Sequence, residues 1–268
     1  MKNFYSHEKL PLEIIQEHVY HIETRGYSVF PDFYDEGICY QLREKLIKAL
    51  DEYKPLGSDR SYKDQFLMHD LMCRDLMFAQ ILEDPRLQQI FAPILGDYWI
   101  MYAFTSSSLP PRKDNYGSRL HVDSPRFIPN YIGTAGFILA LDDFTIENGG
   151  TKLLPGSQNS SKIPTEDMFE KNCTQVTCKK GTMLIVNSRI WHRAGFNNTD
   201  NWRHSLTLST CRVYMKQRFD WPKMIPENIS NQLNDQARRI IGFDSRIPKS
   251  LEEFFVDDEK RLYKPNQE

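Results

Sequence analysis

No run in the 268-residue sequence is long and apolar enough to span a bilayer, so no membrane partner is expected. Charge of one sign is equally scarce. Against 34 Lys and Arg stand 36 Asp and Glu, a formal net charge of −2. No basic block stands out, which gives no global attraction to nucleic acid. Cysteine is sparse: Cys39, Cys73, Cys173, Cys178 and Cys211 are odd in number and lack both zinc-site spacing and a disulfide framework. Reduced thiols in a cytoplasmic protein are therefore expected. The opening residues, MKNFYSHEKLPLEII, lack the apolar core of a secretory signal. Internal repeats and low-complexity segments are absent too. An apolar content of 40% can build a sizeable core, and the length fits one domain over residues 1–268.

The first third reads as helical. From Pro11, apolar residues at Leu12, Ile15, Val19 and Ile22 keep a helical period, and Gly26 is placed to stop it. Tyr27–Phe30 reads as a short strand. A second helix spans about Asp35–Tyr53, with Ile38, Leu42, Leu46 and Leu50 on one stripe and Asp35 as cap. His18 and His21 read as packing residues, and residues 54–70 as a polar loop near a site mouth. Helical pattern returns over 73–78 and 85–95, where Leu87, Ile90, Phe91 and Ile94 share a face. His69 and Asp70 read as structural.

Beyond residue 97 the pattern changes to short strands between Gly and Pro turns, the signature of a β-sandwich or barrel. Strands are expected at 99–108, 131–142, 151–154 and 203–214, with Thr105, Ser106 and Ser108 as possible pocket hydroxyls. A hairpin is expected between 173–178 and 182–187, a turn at Asn148-Gly149-Gly150, and a surface excursion over 160–172. Residues near 231–241 and 251–255 read as helices.

The chemistry concentrates between Arg119 and Ser205. His121 and Asp123 form H-V-D at the end of a predicted strand. Residues i and i+2 of a strand share a face, so both can converge on one ion. His192 follows the apolar run Thr182–Asn187. Two His and one carboxylate are the donor set of a facial non-haem iron site. Eleven residues after His192 come Arg203 and Ser205 on another apolar run. An arginine beside an open metal site suits bidentate capture of a carboxylate. Arg126 and Arg189 lie close to these ligands in sequence and are candidates for contact with an anionic substrate. The residues also allow a zinc hydrolase, since zinc takes the same donors, or a cupin-like binding module without turnover.

The combination H121-V-D123, E-N-G-G-T with L-P-G-S, W-H192 and R203-H-S205 resembles the phytanoyl-CoA dioxygenase family. The resemblance implies a mainly β fold with flanking helices and a double-stranded β-helix (jelly-roll, cupin-like) core. Residues 1–95 would be a helical buttress, 97–215 the core and 216–268 a helical cap. It implies an iron(II)- and 2-oxoglutarate-dependent oxygenase that consumes O2 and hydroxylates a small molecule, releasing succinate and CO2. His121, Asp123 and His192 would hold iron, Arg203 the distal carboxylate of 2-oxoglutarate, with Ser205 assisting. Ala194 departs from relatives that carry a hydroxyl residue two positions after the distal histidine. A carboxylate ligand at Asp123 argues against halogenation.

Overall fold

The computed structural model describes residue 5 and residues 8–53, 66–257 and 259. Helix α1 (Leu12–Thr24) buries Ile15 and Ile22. It ends at Gly26, whose φ of 86° a side chain would strain, and where the N–H bonds back to His21 and Ile22 carbonyls. His18 packs as expected: its Nδ1 lies 2.7 Å from Ser28 Oγ and its ring stacks on Phe30. Strand β1 (Tyr27–Phe30) leads into α2 (Glu36–Glu52), capped by Asp35, whose carboxylate accepts from the Ile38 N–H at 2.8 Å. Ile38, Leu42 and Leu46 form its buried stripe. Helix α3 (Leu76–Gln80) and α4 (Pro85–Leu95) follow; α4 has Asp84 as cap and Pro85 in its first turn.

The strands form two antiparallel sheets. The larger contains β2 (Ile100–Leu109), β3 (Thr134–Ala140), β6 (Met183–Asn187) and β8 (Arg203–Cys211), in the order β1-β6-β3-β8-β2. The smaller has β4 (Thr151–Leu153) between β5 (Thr174–Gln175) and β7 (His192–Ala194). One face of the larger sheet, carrying Phe104, Phe137, Leu139, Ile185 and Leu206, lies in the main core with residues of α1, α2 and α4. The opposite face looks toward the smaller sheet and lines a cavity. The architecture is a jelly-roll core with flanking helices. Short C-terminal helices α6 (Trp221–Met224), α7 (Glu227–Ser230) and α8 (Asp235–Ile241) contribute Trp221, Ile229 and Ile240 to the same core; α9 (Leu251–Phe254) has no buried residue.

Two expectations need correction and one gains detail. Residues 173–178 and 182–187 are not a hairpin: β5 pairs with β4, and β6 lies between β1 and β3. Gly181 makes the change of sheet, with φ 87° and its Cα so close to the Tyr34 carbonyl that a Cβ would sit 2.1 Å from that oxygen. The stretch 160–172 holds a helix, α5 (Glu166–Asn172), capped by Thr165 and anchored by Phe169. The strand expected over 131–142 is confined to 134–140. Most of the polar 54–70 loop, residues 54–65, lies outside the described residues.

Strands β3 and β8 approach most tightly at Gly136, where an added Cβ would lie 2.2 Å from the Leu208 carbonyl oxygen. The partner atom is ladder backbone and cannot swing away. Gly136→Ala is expected to destabilise the fold by about 1–3 kcal/mol through overpacking, measured as a lower urea midpoint with an unchanged m-value.

Candidate metal and carboxylate site

Alternation along β8 builds the site. Arg203, Ser205, Thr207 and Ser209 point into a cavity of about 470 Å³, joined by Ala103, Thr105 and Ser107 from β2 and by Gly136 and Ile138 from β3. Thr151, His192 and Ala194 close it from the smaller sheet. Ser106 and Ser108 face the other way: Ser106 Oγ accepts from the Met68 N–H, and Ser108 Oγ lies 2.8 Å from His204 Nδ1. Of the three hydroxyls expected in the pocket, Thr105 alone reaches it, with Ser107 beside it.

His121, Asp123 and His192 meet at one end of this cavity, their ligand atoms all within 4.8 Å of one another. His121 Nε2 is 3.5 Å from one Asp123 oxygen, and His192 Nε2 is 3.9 Å from the other. The backbones of His121 and His192 exchange two hydrogen bonds across an isolated bridge, at 3.0 and 2.9 Å. That bridge is all that remains of the strand expected before H-V-D. Each imidazole is oriented from behind. His121 Nδ1 donates to the Arg119 carbonyl at 2.7 Å and His192 Nδ1 to the Ile190 carbonyl at 3.0 Å. A carbonyl only accepts, so both rings carry a proton on Nδ1 and turn Nε2 toward the Asp123 carboxylate. Burial lowers the His192 pKa, with Asp123 opposing, so the ring is neutral at pH 7. Burial by itself would raise the Asp123 pKa, but His192 and His121 outweigh it and the net shift is downward. Two neutral imidazoles and a carboxylate are a complete donor set for one divalent cation.

Arg203 is 1% exposed and faces the same cavity. Its guanidinium carbon sits 4.3 Å above the Phe144 ring, and Nε and Nη1 have no hydrogen-bond partner. Burial pushes its pKa down to about 10 against the pull of Asp142 and Cys178, which leaves it charged at neutral pH. A buried cation with two vacant donors calls for an anionic partner. Ser205 lies beside it, its hydroxyl donating to the Ser107 carbonyl at 2.9 Å.

Neither Arg126 nor Arg189 lines the cavity. Arg189 instead donates to the carbonyls of Ser124, Pro125 and Ser160 at 3.3, 3.0 and 3.0 Å, tying down the loop that leaves Asp123. Arg126 is exposed. The cations that reach the cavity beside Arg203 are Arg119 and Arg218. Arg119 was legible as the start of R-L-H-V-D; Arg218, which follows β8 in a loop, carried no signal. His69, read as structural, also lines the cavity.

Two facing sheets that enclose a two-histidine, one-carboxylate triad and a buried arginine define a jelly-roll protein with a non-haem metal centre. The comparisons give the family: the model for phytanoyl-CoA dioxygenase (PhyH) matches residues 22–205, and the chain belongs to that family. It is 26% identical over 250 residues to an uncharacterized protein of Mycobacterium tuberculosis, covering 90% of this chain and 92% of that one. Dioxygenase cdmA of Talaromyces verruculosus is 23% identical over 254 residues, 84% and 82% of the two chains. Among solved structures, the epimerase SnoN from nogalamycin biosynthesis, in complex with Fe3+, alpha ketoglutarate and nogalamycin RO, superimposes with TM-score 0.60 at 15% identity, over 75% of this chain and 84% of SnoN. HygX of Streptomyces hygroscopicus, with nickel and 2-oxoglutarate bound, gives TM-score 0.60 at 16% identity, over 75% and 88%.

His204 points away from the cavity into a shell with Ser108 and Trp202, and burial lowers its pKa to about 4. The sign follows directly. The unfolded chain takes up this proton near pH 6.5 and the fold resists it until about pH 4. Its share of stability is therefore complete above the unfolded pKa and declines as pH falls through that window, by about 3 kcal/mol. Urea unfolding across that window should show the decline, and His204→Gln should flatten it.

Proposed function

We propose that the chain is an iron(II)- and 2-oxoglutarate-dependent oxygenase that hydroxylates a small molecule. The observation that carries the reading is the Arg203 guanidinium, buried with two free nitrogens in the same cavity as the triad. A zinc hydrolase needs the triad but gives that guanidinium no task; a passive binding module explains neither. Family membership and the dioxygenase names of several relatives support the oxygenase. The Fe3+ and alpha ketoglutarate in complex with SnoN, and the nickel and 2-oxoglutarate bound to HygX, are the kind of ligand pair that the donor set and the arginine fit.

In this reading His121, Asp123 and His192 hold iron(II), and Arg203 pairs with the distal carboxylate of 2-oxoglutarate through two parallel charge-assisted hydrogen bonds. Bound iron with 2-oxoglutarate supplies activation of dioxygen, with succinate and carbon dioxide as co-products and one oxygen atom passed to the substrate. The chain's own part is positional. The Arg119 and Ile190 carbonyls fix the imidazoles, β8 sets the distance between clamp and triad, and Ile138, Val186 and Ala194 keep the intervening wall apolar. Ser205 would exchange its bond to Ser107 for one to the cosubstrate, a near-neutral trade.

Asp123→Ala should abolish iron(II) uptake and succinate formation while leaving the fold intact, read by metal content after anaerobic reconstitution and by succinate assay. Iron binding at wild-type level in that variant would remove Asp123 from the ligand set. Arg203→Leu should weaken 2-oxoglutarate binding by about 2–5 kcal/mol, the cost of stranding one member of a buried charge pair. Ser205→Ala should cost about 1 kcal/mol or less. Calorimetric titration with 2-oxoglutarate ranks the two. Substrate-dependent succinate release, with a product heavier by one oxygen, tests hydroxylation itself.

A further inference from the structure

The cavity carries more positive charge than metal and cosubstrate need. Among the described residues its lining holds three arginines, Arg119, Arg203 and Arg218, against one carboxylate, Asp123. These four groups sum to a formal charge of +2. On the oxygenase reading, iron(II) and doubly ionised 2-oxoglutarate cancel each other and Arg203 is committed to the cosubstrate. Arg119 and Arg218 are the surplus.

Both side chains are exposed where they line the cavity, and each is positioned by its neighbours. Arg119 extends from a 3-10 turn, Tyr116–Ser118, that Asn115 locks from within the protein: its Oδ1 accepts from the Gly117 N–H at 2.9 Å and its Nδ2 donates to the Ser108 carbonyl at 2.9 Å. The Arg119 guanidinium lies flat on Tyr116, 3.7 Å from the ring centre, and both side chains line the cavity. Stacking on an aromatic face orients the guanidinium and leaves its N–H edge to bind in plane. Arg218 stands on backbone that is fixed on three sides. Its own N–H donates to the Tyr102 carbonyl at 3.1 Å, Gln217 Nε2 to the Met101 carbonyl at 2.6 Å, and Trp221 Nε1 to the Tyr102 carbonyl at 3.2 Å. Its head lies 5.2 Å from the Tyr102 ring centre, near enough to Asp123 to help hold that carboxylate ionised. Among the described residues neither guanidinium pairs with an acid, whereas Arg43, Arg74, Arg86, Arg112 and Arg193 all do.

We infer that Arg119 and Arg218 form a substrate-binding pair that selects an oxyanion, a carboxylate or phosphate borne on the molecule to be oxidised, and holds it at the cavity rim beside the triad. The inference rests on the oxygenase reading and adds the substrate's chemical class to it. Two planar cations approaching from the β8 exit and from the segment leading into His121 would grip the anion from two directions. The substrate's remaining body would then extend inward over Ile138 and Val186.

The test uses full-length protein loaded anaerobically with iron(II) and 2-oxoglutarate. It is titrated calorimetrically with a library of matched pairs, each a carboxylate or phosphate monoester beside its neutral methyl ester. Acids should bind and esters should not. Whether carboxylates or phosphates lead distinguishes the two sources of the anion. Arg119→Gln and Arg218→Gln should each weaken the best acid about tenfold, one charge-assisted hydrogen bond's worth, with no change in melting temperature or in 2-oxoglutarate affinity. Esters binding as well as acids, no acid binding at all, or an unmoved acid Kd in both variants overturns the inference. So does a loss of 2-oxoglutarate affinity in either variant, which would place that guanidinium on the cosubstrate. The two readings fail separately. Wild-type protein that does not take up 2-oxoglutarate overturns the oxygenase assignment and the inference with it; intact uptake without acid preference overturns the inference alone.

Discussion

The antiparallel registration of β8 between β2 and β3 is the constraint on which the rest depends. Strand β8 is paired along its whole length, from Arg203 opposite Leu109 to Cys211 opposite Ile100, and again with β3 from Ser205 to Cys211. Side chains alternate with period two, so this one register sends Arg203, Ser205, Thr207 and Ser209 into the cavity while Leu206 joins the main core. A slip by one residue would bury His204 where Arg203 belongs and put apolar side chains in the polar cavity. Gly136 makes the register possible, because no side chain fits between β3 and the Leu208 carbonyl.

Much of this was legible. Helices α1, α2 and α4 showed in apolar period, and α2 also in its cap at Asp35, because those signals are local. The triad showed because H-x-D beside a later W-H is a spacing that few other demands would produce. The failures share one cause, which is that pairing between distant segments leaves no trace in a local pattern. Residues 173–178 and 182–187 flank the turn-like Lys179-Lys180-Gly181, so they read as a hairpin. Only the close approach of Gly181 to Tyr34, far away in sequence, shows that the chain crosses between sheets there. Arg126 and Arg189 were chosen for nearness in sequence to ligands. Arg189 proves to be a backbone clamp, and Arg218, with no motif around it, reaches the cavity instead.

The triad's order comes from backbone rather than from other side chains. Both imidazoles are held by carbonyls two residues upstream, Arg119 for His121 and Ile190 for His192, and their own backbones are bonded to each other. Orientation by carbonyl has an electrostatic consequence: neither ring is held from behind by an ionisable side chain. Among the described residues Asp123 is the one carboxylate that lines the cavity, and both histidines favour its charge. Local backbone geometry, not a network of polar side chains, sets how the three ligand atoms converge.

Arg203 tells against a purely structural account of the same cavity. A guanidinium buried to 1% exposure and lacking partners at two nitrogens carries a desolvation penalty that a neutral side chain in its place would not. Asp142 is near enough to favour the charge, yet its oxygens are taken by Arg43 and by the His204 backbone N–H. The Phe144 ring beneath the guanidinium compensates in part and fixes its plane. Folding alone would favour Leu or Met there. A buried charge kept short of partners is stability forgone at one site, and on the oxygenase reading an incoming carboxylate would recover it on binding. Clamp strength and native-state cost are therefore the same physical quantity seen from two sides.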